Sequence, residues 1–134
     1  MSPYREVEHT ADWALRVWAP TLEGLFVDAA RGMYALAGAR AAPRAGERHT
    51  VECQADDYET LLVGWLQEWL FRTEMHNLVF EAFQIDRLTP TELSGSAVGR
   101  PAEHLDKLIK AVTYHNLKIE PTAEGFETTI VVDV

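Results

Sequence analysis

A chain of 134 residues with 47% hydrophobic and 25% charged residues falls in the size range of a single domain that can bury its own core, far from the composition of a disordered segment. The formal net charge of −9 argues against a phosphate-backbone binder, because non-specific nucleic-acid affinity comes from Lys and Arg displacing counterions; it suits a cation, or a protein partner whose own surface is basic. The lone Cys53 excludes an internal disulfide or a Cys/His zinc motif, and Arg5, Glu6 and Glu8 precede no apolar run that could target or span a membrane, so the expectation is a soluble cytoplasmic chain with no membrane partner.

In chain order, Tyr4 to Glu8 reads as a short edge strand running into the polar corner His9-Thr10-Ala11-Asp12. Trp13, Leu15, Val17 and Ala19 then alternate with Ala14, Arg16 and Trp18, the period-two pattern of a strand with one buried face, stopped by Pro20. Thr21 is a good N-cap for a helix whose apolar face runs from Leu22 through Leu25, Phe26, Ala29, Ala30, Met33 and Ala37, with Gly38 as its stop. Ala39 to Gly46 reads as a surface loop, and His49, Val51, Cys53 and Ala55 as the buried positions of another strand. Asp56 and Glu59 have capping-box spacing ahead of a second, stronger helix marked by Leu61, Leu62, Trp65, Leu66, Trp69 and Leu70.

Trp65 and Trp69 lie one turn apart on that helix and predict core anchors, since base stacking would call for basic neighbours that the helix lacks. Val79 to Leu88 and Thr91 to Val98 predict a hairpin about Thr89-Pro90, with Gly95 and Gly99 marking a bulge or a close backbone approach. Arg100 to Leu108 is polar and predicts a loop. Ile109 to Glu120 and Phe126 to Val134 flank the turn Pro121 to Gly125 and predict an antiparallel hairpin. Strands outnumber helices and follow one another in sequence, which predicts an α+β fold: one domain over residues 1–134, with two amphipathic helices packed on a largely antiparallel β-sheet.

No GxGxxG, Walker loop, GxSxG or HExxH is present, so nucleotide-fold, serine-hydrolase and zincin chemistry lack support. What stands out is polar residues inside apolar strands. His115 shares a predicted strand face with Thr113, Leu117 and Ile119, and Asp133 alternates with Val132 and Val134. The Asp133 side chain and the terminal carboxylate of Val134 offer neighbouring oxygens, and Asp12 could add a third. Such carboxylates repel unless a cation or proton lies between them, and oxygen-only ligation suits Ca²⁺, Mg²⁺ or Mn²⁺. The competing reading is that Asp12 caps a turn and the tail frays.

His9-Thr10-Ala11-Asp12, the helix segment Leu61-Leu62-Val63-Gly64-Trp65-Leu66, the hexapeptide Lys110-Ala111-Val112-Thr113-Tyr114-His115 and the closing Asp133-Val134 together resemble the archease family, in the same order and from end to end. The resemblance implies an accessory protein, not an enzyme: archeases assist the RtcB-type RNA ligase of tRNA splicing and RNA repair by promoting its GTP-dependent guanylylation. A chaperone-like effect on a tRNA methyltransferase is also ascribed to the family. By motif match the family's metal site falls on Asp12, Asp133 and Val134, with Ca²⁺ favoured and Mg²⁺ or Mn²⁺ as alternatives. His9 and Asp57 match positions near that site, and Lys110 and His115 belong to the hexapeptide. Each of these four also has a structural reading: orienting Asp12, capping a helix, forming a salt bridge, and hydrogen bonding within the sheet. The sequence departs from the family pattern at Trp13, Ala14, Gln67 and Arg100.

Three functional readings follow. The first is an activator whose acidic, ion-bearing end docks on a basic ligase, with no direct nucleic-acid contact and at most weak homo-oligomerisation. The second is a small metal-dependent hydrolase with His9 or His115 as general base. The third is a plain interaction module that binds no metal.

Overall fold

Pairing starts with the strand β1 (Tyr4–Glu8), which runs antiparallel to β2 (Trp13–Ala19) with Tyr4 opposite Val17 and Glu8 opposite Trp13. The computed structural model describes residues 3–8, 13–114 and 116–134. The remaining described elements are α1 (Leu22–Leu36), β3 (Arg40–Ala41), β4 (Glu47–Gln54), α2 (Tyr58–His76), β5 (Leu78–Leu88), β6 (Glu92–His104), β7 (Ala111–Val112), β8 (Glu120–Thr122) and β9 (Gly125–Asp133). Every strand pairing among the described residues is antiparallel.

The α+β expectation of two helices on antiparallel strands holds, but the strands divide into two sheets. The first runs β1-β2-β9-β7, with β8 also paired to β9. β7 and β8 share one edge of β9 because β2 occupies the other along Phe126 to Val132. The second centres on β6, flanked by β4 and β5, with β3 paired at its far end. Helix α1 packs on β2 of the first sheet and β5 of the second, while α2 lies against β4, β5 and β7. Buried side chains from both sheets and both helices form one continuous apolar cluster.

Local chemistry accounts for the helices. Thr21 Oγ1 accepts from Gly24 N at 3.0 Å and starts α1 where predicted. On α2 the cap is Asp57, one residue later than the Asp56 of the capping-box expectation: its Oδ1 accepts from Thr60 N at 2.7 Å. Glu59 does not reach back to the cap. Its carboxylate accepts from Ile119 N at 3.1 Å instead, a bond across sixty positions that spacing could not reveal. The helix ends at Asn77, in the left-handed region at φ 54°, where Asn is one of the few side chains tolerated.

The core centres on aromatic rings. Trp65 and Trp69 are fully buried, as predicted, with centroids 5.3 Å apart at 85°, and Trp69 lies 4.7 Å from Phe80 of β5. Trp65 Nε1 donates to Phe26 O of α1 at 3.0 Å, locking the helices together. Tyr34 of α1 adds a polar tie: its hydroxyl lies 2.5 Å from Thr73 Oγ1 and 3.2 Å from Trp69 O, so Thr73 can donate to Tyr34 while Tyr34 donates to the carbonyl. Burial pushes the Tyr34 phenol well above its ordinary range, so it remains a neutral donor.

Several sequence expectations are corrected. The polar segment after Arg100 is not a loop: β6 continues to His104 because Leu78 of β5 pairs with Pro101 and β3 pairs with Ala102 and His104. The Pro101 carbonyl accepts from Ala42 N at 2.8 Å, an acceptor role that proline can fill. The loop predicted over Ala39 to Gly46 therefore contains β3. The C-terminal hairpin is also interrupted. Among the described residues of Ile109 to Glu120 and the turn after it, Ala111–Val112 and Glu120–Thr122 are strand; between them Leu117 N donates to Tyr114 O and Asn116 takes φ 58°. Of the strand face expected for His115 with Thr113, Leu117 and Ile119, the last three do not lie on a strand, and His115 is outside the described residues.

Candidate functional site

Strand β9 carries the polar end residue that the sequence singled out. Thr128, Ile130 and Val132 point into the core, so alternation turns Asp133 outward, where it is exposed. Its neighbours are set by register. Trp13 at the start of β2 pairs with Val132, and on the other edge Ala111 of β7 pairs with Asp133 itself. Lys110 N donates to Asp133 O at 2.8 Å and Thr113 N to Val131 O at 2.9 Å, so the first residues of the hexapeptide hold the last turn of backbone in place. Val134 beyond it is 40% exposed.

Of the predicted site residues, Asp133, Val134 and Lys110 are brought together by this pairing. His9, Asp12 and His115 lie outside the described residues. The Lys110 side chain is exposed and forms no salt bridge among the described residues, so the ion-pair reading of that residue finds no described partner. The ion-pair and hydrogen-bond geometry of the described residues leaves the Asp133 carboxylate uncommitted. No three His, Cys, Asp or Glu side chains that could hold a metal ion cluster among the described residues. The donor chemistry fits a hard cation: an exposed carboxylate at a rigid strand end, followed by backbone oxygen, with no sulfur or described imidazole in the set.

Three contacts that no sequence pattern signalled brace this corner. Lys107 Nζ stands 4.1 Å from the centroid of the Trp13 ring, a cation–π contact that gives the large side chain at this position a specific partner. The segment 113–119 is tied to the body by the Glu59 bond to Ile119 N and by Thr128 Oγ1, which donates to Lys118 O at 2.7 Å. Tyr114 in the same segment is 57% exposed. Arg100, another departure from the family pattern, is structural: it pairs with Glu81 and its Nη1 donates to Arg44 O at 2.6 Å.

Asp57 is engaged as the α2 cap, and the Thr60 hydrogen bonds hold its carboxyl below the usual carboxylate range. Asp57→Ala is expected to cost about 0.5–2 kcal/mol of stability at neutral pH, the usual range for losing a cap. A lowered folded-state pKa means that this contribution is present above the unfolded value and is lost as pH falls through the folded one. The stability gap between parent and variant, read by urea unfolding, should therefore close on acidification to about pH 2. Asp57→Asn should keep most of the cap, and a gap independent of pH would contradict the capping role. Cys53 is free and half-buried; burial, reinforced by the Glu68 charge, pushes its thiol up and leaves it a poor nucleophile.

Comparison with known proteins places this chain in a family. The Archease protein family model matches residues 4–134. A protein archease from Methanopyrus kandleri is 37% identical over 141 residues, covering 98% of this chain and 99% of that one. The solution structure of protein 1598 of Methanobacterium thermoautotrophicum superposes with a TM-score of 0.72 at 25% identity, covering 100% of both chains. The crystal structure of an archease from Thermotoga maritima, described as a possible chaperone, gives a TM-score of 0.71 at 22% identity over 97% of this chain and 96% of that one.

Proposed function

This chain belongs to the archease family, and on that premise we propose that it is an accessory protein, not an enzyme, that activates an RtcB-type RNA ligase by promoting its GTP-dependent guanylylation. The single observation that carries the reading is the exposed Asp133 carboxylate, without a partner among the described residues and held in place by β7 and by the Lys110 amide. Asp12 adjoins Trp13 in the chain, and Trp13 pairs with the neighbour of Asp133. That register supports a shared oxygen site of Asp12, Asp133 and Val134.

When bound, a divalent cation, with Ca²⁺ favoured over Mg²⁺ or Mn²⁺, supplies the positive charge that lets these carboxylates share one place. The chain's own residues do the rest. β7 and the hexapeptide fix the backbone that presents Asp133, and the braces from Glu59 and Thr128 hold the adjoining segment with its exposed Tyr114. The net charge of −9 favours encounter with the basic surface of a protein that handles RNA, a contact that weakens with salt. The description of the Thermotoga maritima relative as a possible chaperone fits the same accessory role in broader terms.

The deciding assay is guanylylation of a purified RtcB-type ligase with GTP and divalent ion, in the presence of parent, Asp12→Ala or Asp133→Ala protein. Stimulation should fall by at least about tenfold in both variants, the scale on which disturbing a metal site lowers affinity. If both variants stimulate as well as the parent, the shared site is not the mechanism.

A further inference from the structure

A second candidate site lies on the outer face of the first sheet, at the end of β2 away from Asp133. A cleft of about 500 Å³ opens there between the β1–β2 ladder and the β8–β9 turn, within the size range of small-molecule sites. Arg5 and Arg16 are direct cross-strand partners and point out of the same face. Placing two cations opposite each other destabilises a sheet unless something offsets them. Glu127 answers Arg16 at 2.9 Å; Arg5 has no carboxylate partner among the described residues.

Trp18 follows two residues along β2, so it shares the face of Arg16, and it pairs with Glu127 across to β9. It is half-buried, as is Phe126, and both line the cleft. Glu124, on the β8–β9 turn, also lines it, while Glu127 is held against Arg16. The wall is built by a tight approach: Gly125 takes φ +145°, and a Cβ there would meet Ala19 O at 2.2 Å and Pro20 Cα at 2.6 Å. Only glycine lets the β8–β9 turn close against the end of β2. A smaller cleft of about 280 Å³ shares Arg16 and Glu127 with it.

The cleft therefore offers cations on β1 and β2, an aromatic surface beside them, and the Glu124 carboxylate at the β8–β9 turn. A ligand that matches has an anion at one end, a planar ring in the middle and N–H donors at its far edge. We propose that this cleft binds a nucleoside monophosphate with an amino-bearing base, the phosphate on Arg5 and on the Arg16 donors that Glu127 leaves free, the ring against Trp18 and the amino edge on Glu124. Arginine supplies forked donors for phosphate, and an aromatic face accepts any base by stacking. A long polyanion is disfavoured by the overall charge, whereas a single phosphate is not.

The test is titration of the full chain with adenosine and guanosine monophosphate, followed by backbone and indole ¹H–¹⁵N shifts, with inorganic phosphate and the free nucleosides as separate arms. Saturable shifts are expected at Arg5, Arg16 and the Trp18 indole. Phosphate alone and nucleoside alone should bind at least about tenfold more weakly, because each makes only part of the contact set. Arg5→Gln with Arg16→Gln should weaken the nucleotide by at least about tenfold, and Trp18→Ala by a similar factor. The two arginines lie on the sheet surface, so the thermal melt of their double variant should remain close to the parent. Should a variant fail to fold, the shift map of the parent still decides. Shifts that do not saturate, that map away from this face, that survive the double arginine change, or that phosphate alone reproduces at equal affinity would each overturn the proposal.

Discussion

Trp65→Ala is expected to remove about 3–5 kcal/mol of folding stability, the range for truncating a large aromatic in a core. Trp65 is fully buried and serves three partners at once. Its ring meets Trp69 edge-on at 5.3 Å and Phe83 of β5 at 6.2 Å, and its Nε1 donates to Phe26 O on α1. Alanine would leave a cavity between α2, α1 and the second sheet that rigid neighbours cannot fill. Trp65→Phe should fall between, keeping a ring but losing the bond to Phe26. Trp69 makes a useful contrast, because its Nε1 has no hydrogen-bond partner among the described residues. Trp69→Phe should thus cost less than Trp65→Phe in urea unfolding followed by circular dichroism. A Trp65→Ala loss below about 1 kcal/mol would mean that the core tolerates collapse at this point.

Features governed by neighbours in sequence were the ones that could be read in advance. The β2 strand from Trp13 to Ala19, the Thr21 cap and the apolar face of α1 follow from alternation, hydroxyl chemistry and helical spacing, and the structure reproduces them. The close backbone approach marked by Gly95 is equally real. The β6 extension to His104 was hidden because its polar residues say nothing of the partners that pair with them, β3 and β5. Asp56 and Asp57 are adjacent carboxylates, and composition could not decide which takes the cap; the winner is the one whose oxygen reaches Thr60 N.

The candidate site divides in the same way. Asp133 was legible as a charge inside an apolar alternation, and its outward direction follows from the pleat. Its environment was not: the Ala111 register, the Lys110 amide on Asp133 O and the Glu59 bond to Ile119 are all contacts between distant segments. Glu59 links helix to site. The same helix that buries Trp65 and Trp69 also pins the segment following the hexapeptide, so the core and the proposed docking end share one rigid element.

Gly95→Ala is expected to be the most costly single methyl addition in the second sheet. Gly95 lies buried in β6, between Val51 of β4 and Ile85 of β5. A Cβ there would come within 2.5 Å of Gln84 O and 2.9 Å of the far edge of the Trp65 ring. The carbonyl belongs to the bulged stretch of β5, where the register shifts on both sides of Gln84 and Ile85, so relief requires moving backbone. Overpacking of this kind typically costs about 1–3 kcal/mol, and a backbone obstacle puts this position at the upper end. The Trp65 contact makes the penalty separable. In a Trp65→Phe background the far edge of the indole is gone but Gln84 O remains, so Gly95→Ala should cost less there without becoming neutral. A coupling of at least about 0.5 kcal/mol between the two changes, measured by urea unfolding of the four proteins, is the expected result. Additivity within about 0.3 kcal/mol would show that the carbonyl alone sets the penalty and that the Trp65 ring moves aside at no cost.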